Sequence, residues 1–482
     1  MIDLYNLEKY RENNRIEAKK ALGGLPHSIW ETYSAFANTL GGLILLGVEE
    51  YKDKSLHAVD LPDPEKMIKE FWNLINDPKK ASVNILSDKD VTVETVDGKR
   101  IVVIRVPRAD RGYKPVYIEG NPLNSYRRSG EGDYKCTDEE LKAMFRDAAV
   151  RTQDMLVLED LDLTVFNAES LRSYRQRMCL SRPGHAWNTL ENVDFLLKIG
   201  AVGVGGDGIK HPTCAGLLMF GNEYDIVREF PQYFLDYREE NGDFNLPTDR
   251  IVSSSGDWSG NVYDFYFRVY DKLRLDLKIP FETRDGAGSD DSPVHAAIRE
   301  ALANCLVNAD YYGRGGVVVV KKRGAITLTN PGGFRVGIDR AKSGGLSDPR
   351  NGAILKFFNL IAVGERAGGG IPNILRVWRE RKWAEPTFTQ SFEPDRITLS
   401  LAFEMTNDEK KTGKARDKKA YELQKEMIVE YLTDKASAKT AEIASLLRVS
   451  PRRARAIVSK LKAEDLIVAD GADRCRTYRL KS

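Results

Sequence analysis

The apolar positions of this chain change period several times, and each change marks an element. Over residues 15–19, Arg-Ile-Glu-Ala-Lys alternates polar and apolar, a strand period that sets Glu17 and Lys19 on one face. Residues 26–34 read as a helix, Gly41-Gly42 as a tight turn, and 43–48 as a buried strand that delivers Glu49 and Glu50 to the sheet edge. Residues 92–96 and 101–106 flank Asp97-Gly98, a hairpin signature. Then come a helix over 169–177, an apolar run over 213–221 and an aromatic strand over 263–267.

From residue 294 the apolar spacing is helical again, and Glu300, Asn304 and Asn308 fall at i, i+4 and i+8, one polar stripe on an otherwise apolar helix. Strands over 317–320 and 325–329 lead to the turn Asn330-Pro-Gly332-Gly333. A second glycine cluster, Gly364, Gly368, Gly369 and Gly370, precedes a helix over 372–379. The end of the chain reads as a helix over 420–432, a short helix over 440–447, a helix from Pro451 to 465 and a hairpin around Asp470-Gly471. The expected fold class is α/β multidomain, in five segments: 1–145, an α/β connecting domain over 146–285, 286–405, a Lys-rich linker over 406–419, and 420–482.

Composition narrows the setting. With 482 residues, 42% apolar and 30% charged, the chain is globular, has room for three or four domains and lacks a membrane-spanning run. The first residues lack the order of a signal peptide, and five cysteines without a C-x-x-C pair predict a reducing cytoplasm without disulfides or a zinc site. The net charge of +2 conceals a division: residues 410–482 hold 19 Lys and Arg against 10 Asp and Glu, the remainder 54 against 61. A basic tail on a mildly acidic body is suited to a polyanion.

Candidate chemistry falls in three places. Glu12, Glu17 and Glu50 supply carboxylates of the kind that hold Mg²⁺ or Mn²⁺, and Lys19 could offset charge on a scissile phosphate; the plainer alternative is a solvated acidic surface. Asn304 could give an oxygen to Mg²⁺ on a triphosphate and Glu300 could orient a water, while glycines before a helix suit phosphate. Arg452, Arg453, Arg455 and Lys460 lie on the expected recognition helix, where they could contact phosphates and guanine edges, or form a solvated face.

Glu12-x4-Glu17-x-Lys19, the helix after Pro26, the run AFANTLGGLILLGVEE and Ser125-Tyr-Arg127-Arg128-Ser-Gly130 resemble the Schlafen AlbA-like domain, over about residues 8 to 145. The resemblance implies that Glu12, Glu17 and Glu50 hold a divalent ion and cleave structured RNA, notably transfer RNA, with Lys19 assisting and Arg127 and Arg128 on nucleic acid. Glu50 stands where the animal nucleases have Asp. The later motifs resemble the GHKL ATP-binding fold: E-x3-N falls on Glu300 and Asn304, the adenine-side motif on Asn330, Gly332 and Gly333, and the lid on Gly364, Gly368, Gly369 and Gly370. Asn308-Ala-Asp-Tyr311 departs from that family's His-Arg-Asp-Tyr, and Asn330 from its Asp. ATP or ADP binding is implied, with weak hydrolysis. The tail reads as a winged helix-turn-helix. The expected function is a nucleotide-regulated, metal-dependent endoribonuclease, as in antiphage defence; the alternative is a non-catalytic, ATP-binding, DNA-binding transcriptional regulator. By analogy a homo-oligomer is expected.

Overall fold

The computed structural model of the protein describes residues 4–240, 247–275, 292–364, 369–403, 421–422, 424–447, 451–464, 466–470 and 477–481. They form two bodies, residues 1–380 with 385–402, and 381–384 with 403–482. In the first body an N-terminal sheet orders its strands Ile16–Lys19, Gly42–Leu46, Lys99–Val106 and Val91–Val96. The first pair is parallel, with Glu17 level with Ile44, and the others are antiparallel. A parallel pair requires a crossover, which contains the helix Ile29–Asn38. The apolar run lacks a polar side because the sheet is covered on both faces: Ile44, Leu46 and Ile104 pack with Phe36 and Phe71, while Leu45 and Val103 pack with Leu7 and Leu56.

The strand expected over 43–48 is interrupted at Gly47. Its φ of +85° is a glycine conformation, and a Cβ there would lie 2.8 Å from Leu61 Cγ. The chain resumes as Val48–Glu50, paired antiparallel with Leu56–Ala58. The Asp97-Gly98 hairpin forms as its sequence predicts, with Val96 opposite Lys99. Two polar residues of the crossover helix serve the backbone. Asn38 Nδ2 donates to the carbonyls of Val116 (2.8 Å) and Tyr126 (3.0 Å), and Ser34 Oγ donates to Val116 O (2.7 Å). This buried set ties the helix to the hairpin Tyr126–Ser129 and Gly132–Lys135.

The second sheet has six strands, in the order Asp249–Val252, Leu235–Glu240, Val317–Lys322, Ala325–Pro331, Asp395–Ala402 and Thr387–Phe392. Leu235–Glu240 runs parallel to Val317–Lys322 and the other pairs are antiparallel. Two strands therefore come from the 146–285 stretch, and the sheet crosses the expected boundary at 285/286. The expected aromatic strand over 263–267 is instead part of the helix Val262–Arg274. Asn261 caps it by accepting the Asp264 amide, and its buried positions 262, 263, 265, 266, 269 and 273 follow the helical period. The helix Pro293–Val307 packs against this helix, against Gly370–Glu380 and against Ala325–Pro331.

The N-terminal and larger sheets meet around Asp147, at the end of the helix Asp138–Ala148. Arg350 donates to it in bidentate fashion, Nε to Oδ1 at 2.9 Å and Nη2 to Oδ2 at 2.8 Å. Burial alone would raise the Asp147 carboxyl; Arg350, with Arg335 and Arg146, outweighs burial and holds it below its ordinary value.

The second body contains a helix over 424–435, the helices Thr440–Leu446 and Pro451–Ala463, and a three-stranded sheet ordered Ala438–Lys439, Thr477–Leu480, Ile467–Asp470. Ala454, Ile457, Val458 and Leu461 form the buried stripe of the longest named helix. The linker over 406–419 lies outside the described residues. Among the described residues, no helix is long and apolar enough to cross a membrane.

Asp147→Asn is expected to cost about 3–5 kcal/mol in urea unfolding at neutral pH, because it leaves Arg350 buried without its counter-charge. A carboxyl held low in the folded state adds stability above its unfolded value and loses it as pH falls through the folded one. The gap between wild type and variant should therefore shrink below the ordinary aspartate range. Equal stabilities at neutral pH would contradict the role given to this pair.

Candidate functional site

Helical spacing puts Glu300 and Asn304 one turn apart on Pro293–Val307, and Asn304 Nδ2 donates to Glu300 Oε1 at 3.1 Å. Glu300 is 8% exposed, on the wall of a cavity between this helix and the sheet strands Ala325–Pro331 and Asp395–Ala402. Gly370 closes one side. A Cβ at 370 would lie 2.1 Å from Glu300 Oε1 and 2.9 Å from Asn304 Nδ2, so only a glycine backbone approaches this closely. Gly364 stands near the same carboxylate, its Cβ position 3.9 Å from Glu300 Oε2. The two ends of the expected lid therefore meet at Glu300; Gly369 is described between them, and Gly368 lies outside the described residues.

The other end of the cavity is formed by Asn308, Asn330 and Gly333. Asn308 caps the helix and donates to Asn304 O at 3.0 Å. Asn330, 5% exposed, donates to the carbonyls of Asn308 (3.3 Å) and Pro331 (3.1 Å), which leaves its Oδ1 as the acceptor. Gly332 has a φ of +88° and a Cβ there would meet Arg350 Nη1 at 2.6 Å. Leu328, Ile374 and Leu399 supply an apolar lining. Glycines, a Glu/Asn pair and an apolar lining together form the cavity.

Reading the sequence missed Arg350 and Asn351. Arg350 Nη1 donates to Asn308 O and Nη2 to Gly333 O (3.0 Å), while Asn351 Nδ2 donates to Val307 O (2.9 Å) and Ala309 O (2.7 Å). They lie in an irregular segment without periodicity, and the only local signal is the polar density of Asp348-Pro-Arg350-Asn351.

At the N-terminal sheet the acids are near one another but turned to protein partners. Glu12 Oε1 accepts from Ala18 N at 2.8 Å. Glu17 is held by Lys19 (2.8 Å) and Arg128 (2.8 Å), and Glu50 Oε2 by Lys54 (3.2 Å). Burial raises the Glu12 carboxyl above its ordinary value despite the Ala18 bond, and the charges of Glu17 and Glu50 act in the same direction. Glu50 Oε1 is buried without a partner. Among the described residues no group of three or more His, Cys, Asp or Glu is gathered so as to hold a metal ion. Of the acids expected to hold Mg²⁺ or Mn²⁺, Glu17 is paired with two cations and Glu50 with one.

The structure places Arg127 and Arg128, the expected nucleic-acid contacts, in ion pairs within the protein. Arg128 is 3% exposed, donates to Asn13 O (2.9 Å) and pairs with Glu17 and Asp133 (2.9 Å), so it joins the closing strand to the first one. Arg127 is mostly buried and pairs with Glu140 (2.8 Å) and Glu393. In the second body Arg455 is exposed, the Lys460 ammonium sits 3.5 Å from the Tyr421 ring centroid, and the side chains of Arg452 and Arg453 lie outside the described residues.

Residues 12–137 match the family model Schlafen, AlbA_2; residues 142–236 match a domain of unknown function (DUF8451); and residues 317–400 match HATPase_c_4, the C-terminal region named for the ATP-dependent DNA helicase recG. No curated protein matches the chain. Among solved structures, the DIP2311 protein from Corynebacterium diphtheriae aligns at 15% identity over 97% of this chain and 95% of its own, with a TM-score of 0.40. The N-terminal domain of a RecG-related protein from Nitrosomonas europaea is 33% identical over 28% of this chain and 95% of its own, with a TM-score of 0.23. The chain thus carries a Schlafen AlbA_2 domain and a recG C-terminal-like ATPase domain, and it is a nucleic-acid-related, ATP-associated protein.

Proposed function

We propose that this protein is an ATP-responsive nucleic-acid-binding regulator, in which the cavity at Glu300 and Asn304 takes ATP or ADP and the N-terminal domain and the basic tail take nucleic acid. The single observation that carries the reading is the seat of Gly370 on Glu300 and Asn304, a place where any side chain would collide with the carboxylate. When bound, the nucleotide supplies a triphosphate for the glycine amides and a magnesium ion for the Asn304 oxygen. Glu300 stands one turn away, in position to orient a water, which makes slow hydrolysis a further property of the same site. Arg350 gives the pocket a route outward: it holds the carbonyls of Asn308 and Gly333 on the pocket side and Asp147 on the N-terminal side. A ligand that moves either carbonyl loads that ion pair. In the tail, the order helix, short strand, two helices and hairpin supports a winged helix-turn-helix, with Arg455 on its recognition helix.

One observation favours a second reading, cleavage of RNA, transfer RNA included, by the N-terminal domain. Three carboxylates share one locality, and one of their oxygens, Glu50 Oε1, is buried and unspent. An ion at this place would compete with Lys19 and Arg128 for Glu17.

Three measurements separate these readings. ATP with Mg²⁺ should raise the melting temperature by an amount that grows with concentration, reflecting a stabilisation of about 2.7 kcal/mol at a hundredfold excess over the dissociation constant. Asn304→Ala should lose the magnesium-dependent part of the rise, and an unshifted wild-type melt in millimolar ATP would remove the nucleotide reading. Incubation with total transfer RNA, plasmid and short DNA, in Mg²⁺, Mn²⁺ or EDTA, tests cleavage. Intact substrates throughout support the regulator, whereas metal-dependent cleavage lost in Glu50→Gln installs the nuclease. For the tail, Arg455→Ala should reduce the slope of log affinity against log salt on duplex DNA by about 0.9, one phosphate contact. An unchanged slope would turn Arg455 away from DNA.

A further inference from the structure

A second cavity, separate from Glu300 and Asn304, lies where the N-terminal sheet meets the glycine turn of the larger one. Arg108, Arg111, Lys114, Arg127 and Arg335 face it, against Glu140, Asp147 and Asp395: five cations to three acids. Three of the cations are answered. Arg111 pairs with Asp348 (2.5 Å), Arg127 with Glu140 and Glu393, and Arg335 with Asp348 (3.6 Å) and Asp147 (3.9 Å).

Among the described residues Arg108 and Lys114 hydrogen-bond only to neutral groups, while Asp395 and Asp147 act on both through space. Arg108 donates to Gln390 Oε1 (3.1 Å) and Phe334 O (2.6 Å); Lys114 donates to Asn38 O (2.6 Å), one bond for an ammonium with three donors. The acid left in the cavity, Asp395, accepts from Gln390 Nε2 (3.1 Å); burial raises its carboxyl above the ordinary range, against the charges of Arg350 and Arg108. Burial pushes Lys114 well below the ordinary lysine value, and the Arg108 charge adds to that effect. The charged forms of these two neighbouring groups are disfavoured until a counter-charge reaches them.

We propose that this cavity is a binding site for a phosphoryl dianion, either inorganic phosphate or a small phosphomonoester, held by Arg108 and Lys114. Arg108 and Lys114, the two of these cations without an acid in hydrogen-bond contact, suit a doubly charged ligand, and the arginine fork suits two of its oxygens. The cavity volume of ≈ 80 Å³ is several times the roughly 10–15 Å³ that one water takes on the same measure, so a tetrahedral anion fits. Both Arg108 partners border the Gly333 turn, and a Cβ at 333 would meet Gln390 Nε2 at 2.2 Å. The anion therefore braces the junction from the side opposite the nucleotide cavity, and the proposal stands independently of nucleotide binding.

The test is the melting of the full chain in sodium chloride, sodium phosphate and ribose 5-phosphate at equal ionic strength, with ribose as control. Phosphate or ribose 5-phosphate should raise the melting temperature in proportion to the logarithm of its concentration, and ribose should not. A shift with both, or with inorganic phosphate alone, identifies the free ion as a ligand; a shift with ribose 5-phosphate alone identifies a phosphomonoester. The shift should persist in Asn304→Ala, which excludes the nucleotide cavity as its source. Lys114→Met should melt no lower than wild type in chloride, since it removes a buried amine that makes one hydrogen bond, and should bind the anion roughly tenfold more weakly or worse by calorimetry. Equal wild-type melting in all solutions, loss of the shift in Asn304→Ala, or a full shift in Lys114→Met would each overturn the proposal.

Discussion

The bidentate pair between Arg350 and Asp147 is the constraint around which the first body is organised. It fixes the helix Asp138–Ala148 to the loop that walls the cavity at Glu300, and the same guanidinium satisfies two backbone carbonyls in that wall. An ion pair of this kind adds little net stability over an apolar contact, but it is costly to break and strict in geometry. Arg335 and Arg111 reinforce it by donating to the carbonyl of Asp147, at 3.3 and 2.6 Å. The relation between the N-terminal sheet and the pocket is therefore fixed in part by charge and direction.

The local elements were legible in the sequence wherever periodicity alone decides them. The Asp97-Gly98 hairpin, the alternation that brings Lys19 to Glu17, and the Glu300/Asn304 stripe all follow from two- or four-residue spacing, and each is present. What failed depended on partners distant in the chain. Tyr263–Phe267 is as apolar as a strand, and only its burial between helices and sheet shows the helical stripe. Arg128 looked like a surface cation; its role became clear only once Glu17 and Asp133 were placed beside it. Asn38, read as part of a motif, is a bracket for two carbonyls. Arg350, Arg108 and Lys114 carry no spacing signal, because each meets partners more than forty residues away.

The acidic locality and the cationic cavity are opposite outcomes of one physical problem. Around Glu12, Glu17 and Glu50, protein cations have taken up most of the acid charge and leave a single buried oxygen over. Around Arg108 and Lys114 the protein offers carbonyls and an amide where carboxylates would have closed the balance. The first arrangement is nearly self-contained, whereas the second invites a partner from solution.

The strand Leu235–Glu240 has a consequence for how the ATPase-like part can be handled or inherited. It pairs in parallel with Val317–Lys322 from a position outside the 317–400 match, so that the matched segment holds four strands of a six-stranded sheet. A fragment starting at the segment's own edge would expose the amides and carbonyls of Val317–Lys322, an apolar strand of four consecutive valines, as an open template for intermolecular pairing. Excision there exchanges a fold for an aggregation seed, and the shortest transferable unit of this architecture reaches back to include residues 235–252.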